Sequence, residues 1–239
     1  ASTGATITGG PTTYTVTLTG VSGDGTLAIA VNTGSDVQDL AGNALASSVT
    51  SGTITIDNTS PAPALSSTAG DPVGGGITID VDTGEATTDL AAADFTPVNA
   101  TISAFTGSGS SYSFTLNPIS VGTFSVSLGA GKYTDAAGNA NTAAPANVSR
   151  TYDATQPSAT VITPSTTGPT NASSISFAIT FNKAVLNFNN AADLVITHNG
   201  TANTGASITG SGASYTLNVT GITGDGDFTL AVNTASDVK

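Results

Sequence analysis

The feature that most constrains this 239-residue chain is that it repeats itself. Residues 3–38 align without a gap to residues 204–239, with 20 identities in 36 positions at an offset of 201. A further copy lies between them. Asp39-Leu40-Ala41-Gly42-Asn43-Ala44 recurs as Asp135-Ala136-Ala137-Gly138-Asn139-Ala140, and Asp57-Asn58-Thr59-Ser60-Pro61 recurs as Asp153-Ala154-Thr155-Gln156-Pro157, both at an offset of 96. A period near 100 residues is too long for a solenoid unit and suits one β-sandwich domain per repeat. The phase of the repeat gives one complete unit at 58–153, the C-terminal part of a unit at 1–57, and a unit at 154–239 that lacks its last strand. Continuing the alignment, a parent chain is expected to run on into another Asp-x-Ala-Gly-Asn segment and one more strand.

Inside each unit the apolar residues alternate with period two, as half-buried strands require. Ile77, Ile79 and Val81 alternate with Thr78 and Asp80; Tyr112, Phe114 and Leu116 alternate with Ser113 and Thr115. Equivalent sets are Tyr14, Val16, Leu18 and Tyr215, Leu217, Val219, while Ile175, Phe177, Ile179 and Phe181 belong to the third unit. The three tyrosines occupy the same point of each repeat and are expected to point into cores. Asn199-Gly200 and the two Gly-Asp-Gly segments, 23–25 and 224–226, read as hairpin turns. Six or seven short strands per 100 residues, with no helical period, predict an all-β chain of two-sheet antiparallel sandwiches.

Composition removes most chemistries. Charged residues are 8% of the chain, about a third of the usual ~25%, and the formal net charge is −12. Four basic residues cannot form the cationic face that nucleic acid demands, so no nucleic-acid partner is expected. The apolar runs are strand-sized, far short of the ~20 residues of a membrane helix, so no membrane insertion is expected. With no Cys and a single His, the chain lacks disulfides, thiol chemistry and a zinc cluster. A Ser-His-Asp triad would have to use His198, which flanks Asn199-Gly200, and no pair of carboxylates is set up for glycoside hydrolysis. No catalytic residue and no enzymatic activity are expected.

ISFAITFNKAVLNF (175–188), SGSSYSFTLNP (108–118), SVSLGAGKYTDAAGNAN (125–141) and SRTYDATQP (149–157) together resemble the bacterial Ig-like tandem repeats of large secreted surface proteins and adhesins. The resemblance covers essentially the whole chain. It implies seven-strand Ig-like β-sandwich domains, an extracellular location (bacterial cell surface or secreted), and calcium at domain junctions. The second unit departs from the pattern: its early strands, GITIDVDTGEATTDL, carry fewer aromatics, which predicts looser packing there.

Of the 16 acidic residues, 15 are Asp and one is Glu85. Asp suits both turn capping and hard-cation binding, and calcium needs several oxygens to converge. Convergence is sought at Asp36, Asp39 and Asn43, at Asp135 and Asn139, and at the junction residues Asp57 and Asp153. The competing reading is that these Asp and Asn only fix turns. Asp80-Val81-Asp82-Thr83-Gly84-Glu85 starts like a helix-loop-helix calcium loop, but the position that needs a Glu is Ala91, so it reads as a solvent-facing strand.

Little slack separates the units, since TITID (53–57) and SRTYD (149–153) run through about four residues into Pro61 and Pro157. A flexible tether would be a long Gly/Ser run. The expected function is a stalk or spacer of a surface adhesin, each unit adding on the order of 30 Å from strands of eight to ten residues. Its partners would be neighbouring repeats or subunits of the same protein, with any host-cell or surface ligand held by other regions. The alternative is a polymerising subunit of an extracellular filament or surface layer, assembled by strand donation at an open sheet edge.

Overall fold

The computed structural model describes residues 2–145 and 147–238; Lys239, the last position of the match between residues 3–38 and 204–239, lies outside them. The chain divides into two units, Ala1–Ala154 and Thr155–Lys239. The first holds the partial repeat and the complete one. Its opening hairpin joins β1 (Gly4–Gly9) to β2 (Tyr14–Thr19). β3 (Gly25–Leu27) and β4 (Ala30–Val31) then pair with β6 (Ile54–Ile56) and β5 (Val49–Thr50) respectively.

The complete repeat follows as β7 (Ala64–Ser66), β8 (Ile77–Thr87), β9 (Phe95–Val98), β10 (Ala100–Pro118), β11 (Gly122–Leu128) and β12 (Val148–Tyr152). They form two antiparallel sheets, ordered β10-β8-β7 and β12-β11-β9. Period-two alternation sends Ile77, Ile79, Val81, Phe114, Leu116, Phe124, Val126 and Leu128 between the sheets, where they are all but fully buried. Each such side chain contributes roughly 1.5–3 kcal/mol relative to exposure. The packing is therefore tight despite the scarcity of early aromatics, contrary to the sequence expectation. Phe95, Phe105 and Phe114 from β9 and β10 supply the rings instead, with Phe95 and Phe114 centroids 4.8 Å apart.

The second unit comprises β13 (Ala159–Pro164), β14 (Ser174–Phe181), β15 (Leu194–Ala202), β16 (Gly205–Ser211), β17 (Ser214–Thr220) and β18 (Thr223–Val232). Its sheets are β13-β14-β17-β16 and β15-β18. Leu217, Val219, Ile179, Phe181 and Phe188 fill the core.

One glycine shows why the repeats fold alike. Gly107 has φ +135°, and a Cβ there would sit 2.4 Å from the Ser111 carbonyl; Gly210 has φ +129° and would meet the Ser214 carbonyl at 2.5 Å. Only glycine permits the backbone to pass that close at that φ. Five residues further on the chain turns a tyrosine inward: Tyr112 Oη donates to Thr87 O (2.9 Å) and Tyr215 Oη to Val185 O (3.1 Å). Tyr14, at the same repeat position, does not follow; it is 60% exposed because β1 and β2 have no facing core strands among the described residues.

The turn expected at Asn199-Gly200 is instead a bulge. β15 runs straight through it, with register shifts against β18 on both sides of Gly200. Gly200 (φ +80°) permits the extra residue without ending the strand.

Candidate functional site

The acidic chemistry gathers where the partial repeat passes into the complete one. The Asp-x-Ala-Gly-Asn segment is a closed turn in both of its copies. In the complete repeat, Asp135 Oδ1 accepts from the backbone N–H groups of Ala137 (2.8 Å) and Asn139 (2.9 Å), and Oδ2 accepts from Asn139 Nδ2 (2.9 Å). In the partial repeat, Asp39 accepts in the same way from Ala41, Asn43 and Asn43 Nδ2. The self-capping reading thus describes both turns. What differs is the neighbourhood. Asp39, Asn43 and Asp36 are exposed, whereas Asp135 is buried and Asn139 Nδ2 reaches across 82 residues to the Asp57 carbonyl (3.1 Å).

That reach brings Asp57 beside Asp135, and a third carboxylate joins them. One oxygen from each of Asp57, Glu85 and Asp135 lies within 4.8 Å of the others. Glu85 arrives because β8 bulges: its register against β10 jumps between Asp82 and Thr87. Gly84 (φ +78°) turns the chain there against Ala62, whose carbonyl would sit 2.8 Å from a Cβ. The bulge is anchored from below by Tyr133, whose hydroxyl donates to Thr83 O at 2.6 Å. Burial, reinforced by the charges of Asp82, Glu85 and Asp89, pushes that phenol up to about 12.

The electrostatics record the crowding. Desolvation first, then the charges of Asp57, Asp135 and Asp24, hold the Glu85 carboxyl above its ordinary range. Burial works in the same direction at Asp135, but the hydrogen bonds from Asn139 and the turn backbone outweigh it and leave its pKa lowered. An Asp135 carboxylate stabilised as an anion thus faces a Glu85 carboxyl that resists ionisation. The donor set is all oxygen and acidic, which is the chemistry of a hard cation such as calcium and not of zinc or copper.

The sequence singled out Asp57, Asp135 and Asn139, and these come together. Asp36 and Asp39 do not join any such group of three acidic side chains among the described residues, and Asn43 Nδ2 donates to Asp39. Asp153, the repeat equivalent of Asp57, is half-buried with its N–H on Val73 O (3.0 Å), and it is in no group of three acidic side chains there. Glu85 was missed because the only local pattern containing it, the failed calcium loop, gave it no partner. Asp80 and Asp82 do face solvent as that reading expected.

Asp24 was missed as well. Its Gly-Asp-Gly segment is more than a turn: Asp24 Oδ1 accepts from the Asn58 N–H (2.7 Å), Oδ2 from Thr59 Oγ1 (2.5 Å), and Asn58 Nδ2 donates to Gly23 O (2.8 Å). The Thr59 hydroxyl, then the Asn58 N–H, lowers the Asp24 pKa. This clasp holds the linker residues directly after Asp57. The signal available in sequence was the Gly-Asp-Gly itself, which recurs at 224–226 but is replaced by Ser120-Val121-Gly122 at the equivalent paired position of the complete repeat. His198 is exposed, with Nδ1 3.5 Å from Thr201 Oγ1.

Two antiparallel sheets enclosing one apolar core, with no helix beyond two 3-10 turns among the described residues, define an all-β protein with an Ig-like β-sandwich. A family model described as a bacterial Ig-like domain matches residues 57–152. No curated protein and no solved structure matches the chain.

Proposed function

We propose that this chain is a run of structural spacer repeats from a long bacterial cell-surface adhesin, with calcium stiffening the junction ahead of the complete repeat. The observation that carries the reading is that junction. At residues 57–59 Asp24 clasps Asn58 and Thr59, Asn139 holds the Asp57 carbonyl, and the Asp57 carboxylate meets those of Glu85 and Asp135. A spacer needs its joints fixed more than it needs a pocket, and the interior of the complete repeat is filled by side chains. The similarity of residues 57–152 to a bacterial Ig-like domain supports a surface or structural role and an extracellular setting.

Calcium takes about six to eight oxygens at 2.3–2.6 Å. Asp57, Glu85 and Asp135 would hold it, with solvent completing the shell, and the ion would neutralise the repulsion that now falls on Glu85. Neighbouring repeats are the partners this role requires, and adhesive contacts belong to other regions. The test is the thermal unfolding midpoint and the solution length of the chain in calcium and in chelator. A higher midpoint and a longer, stiffer particle in calcium are expected. Identical values in both conditions would remove calcium from the account.

A further inference from the structure

Asn199-Gly200 is the one Asn-Gly pair in the chain; every other Asn precedes a residue that carries a Cβ. Both residues are exposed, and both stand opposite Asp227 of β18 in the bulge of β15. The bulge fixes the glycine. Gly200 has φ +80°, and a Cβ there would run into the Asp225 carbonyl, so no other residue fits. The asparagine is fixed by its partner. Asn199 Nδ2 donates to Asp227 Oδ1 at 2.7 Å, and Thr201 Oγ1 donates to the Asp227 carbonyl at 3.0 Å. One aspartate of β18 thus holds β15 on both sides of Gly200.

A pair of this kind carries a reaction of its own. A glycine that follows an asparagine leaves its amide nitrogen unshielded by a side chain and next to the asparagine Cγ. The Gly200 nitrogen attacks Cγ of Asn199, and the new Cγ–N bond closes a five-membered succinimide. The Cγ–Nδ2 bond breaks, and Nδ2 leaves as ammonia with the proton that Gly200 gives up. Water then opens the ring. Attack at the side-chain carbonyl restores the ordinary main chain with an aspartate at 199; attack at the main-chain carbonyl leaves an isoaspartyl link that runs through the extra methylene. The only co-reactant is water.

Either product changes what faces Asp227. The amide that donates to its carboxylate becomes a second carboxylate at the same place, with Asp225 two residues along β18. Like charges directly opposite one another on an antiparallel pair are destabilising, and solvent at this exposed site moderates the repulsion without removing it. The isoaspartyl product also lengthens the main chain where the register of β15 against β18 already shifts.

We propose that Asn199 is a deamidation site built into the second unit. The bulge makes glycine obligatory behind an exposed asparagine, and conversion of that asparagine loosens β15 from β18. This goes beyond the spacer reading and is independent of the carboxylates of Asp57, Glu85 and Asp135.

The test is incubation of the full chain at mildly alkaline pH, which favours loss of the Gly200 amide proton, followed by proteolysis and peptide mass spectrometry. Amide-to-acid exchange, with isoaspartate, is expected to accumulate at Asn199 ahead of every other Asn. Asn199→Gln, which keeps the amide but would have to close a six-membered ring, is expected to stay unconverted at that position. Asn199 remaining intact, or converting no faster than the other asparagines, would overturn the assignment. The consequence is tested separately by melting. Asn199→Asp is expected to lower the unfolding midpoint of the full chain, and to lose most of that effect in an Asp227→Asn background, where an amide and a carboxylate again face each other. An equal loss in both backgrounds, or no loss in the parent, would overturn the loosening of β15 from β18.

Discussion

At the residue scale, Glu85 acts against the fold when it is charged and no cation is present. Its folded-state pKa is raised, so protons bind more tightly to the folded chain than to the unfolded one between its ordinary 4.5 and the raised value. Stability attributable to this group falls as pH rises through that window. Glu85→Gln is therefore expected to raise the melting midpoint in chelator at neutral pH, with the advantage over the parent shrinking as pH drops below 4.5. Asp24 and Asp39 work with the opposite sign. Their pKa values are lowered, chiefly by hydrogen bonds from Thr59 and Asn43 respectively, so their stabilisation is present above the ordinary 3.8 and is lost in stronger acid. A pH series of melts on Asp24→Asn is expected to converge with the parent in strong acid and to lie below it at neutral pH. The residue-level chemistry was only partly legible in sequence. Asp57, Asp135 and Asn139 could be found because they recur in the repeat, but Glu85 depends on a bulge in β8 that no local pattern encodes. Asp24 was hidden by a turn motif whose side chain serves a segment 34 residues away.

At the scale of elements, the same sequence position has different worth according to what covers it. Tyr215 is buried in the second unit with its hydroxyl bonded, while Tyr14 is largely exposed. Tyr215→Ala is expected to cost about 3–5 kcal/mol by analogy with other large core aromatics, and Tyr14→Ala about 0.5 kcal/mol or less. Denaturant unfolding of the two variants checks this, and equal effects would contradict the assigned burial. Gly107→Ala tests the hairpin crossing. Its Cβ would strike the Ser111 carbonyl at a φ that alanine avoids, so a loss of more than about 1 kcal/mol is expected. The strands themselves were readable from alternation because a sandwich buries one face of each. The Asn199-Gly200 bulge was not, since the dipeptide that favours a tight turn also permits an extra residue within a ladder.

At the scale of the molecule, a chain with few charges, one histidine and no cysteine offers its chemistry at joints and edges rather than in a pocket. Folding brings Asp24, Asp57, Glu85 and Asp135 together at the passage from one repeat to the next, and that concentration is what the spacer account rests on. Calcium titration by calorimetry on the full chain tests it most directly, with Glu85→Gln titrated alongside. The account predicts calcium binding at one site per chain that is lost in Glu85→Gln. No binding by the parent chain, or binding unchanged by Glu85→Gln, would contradict it.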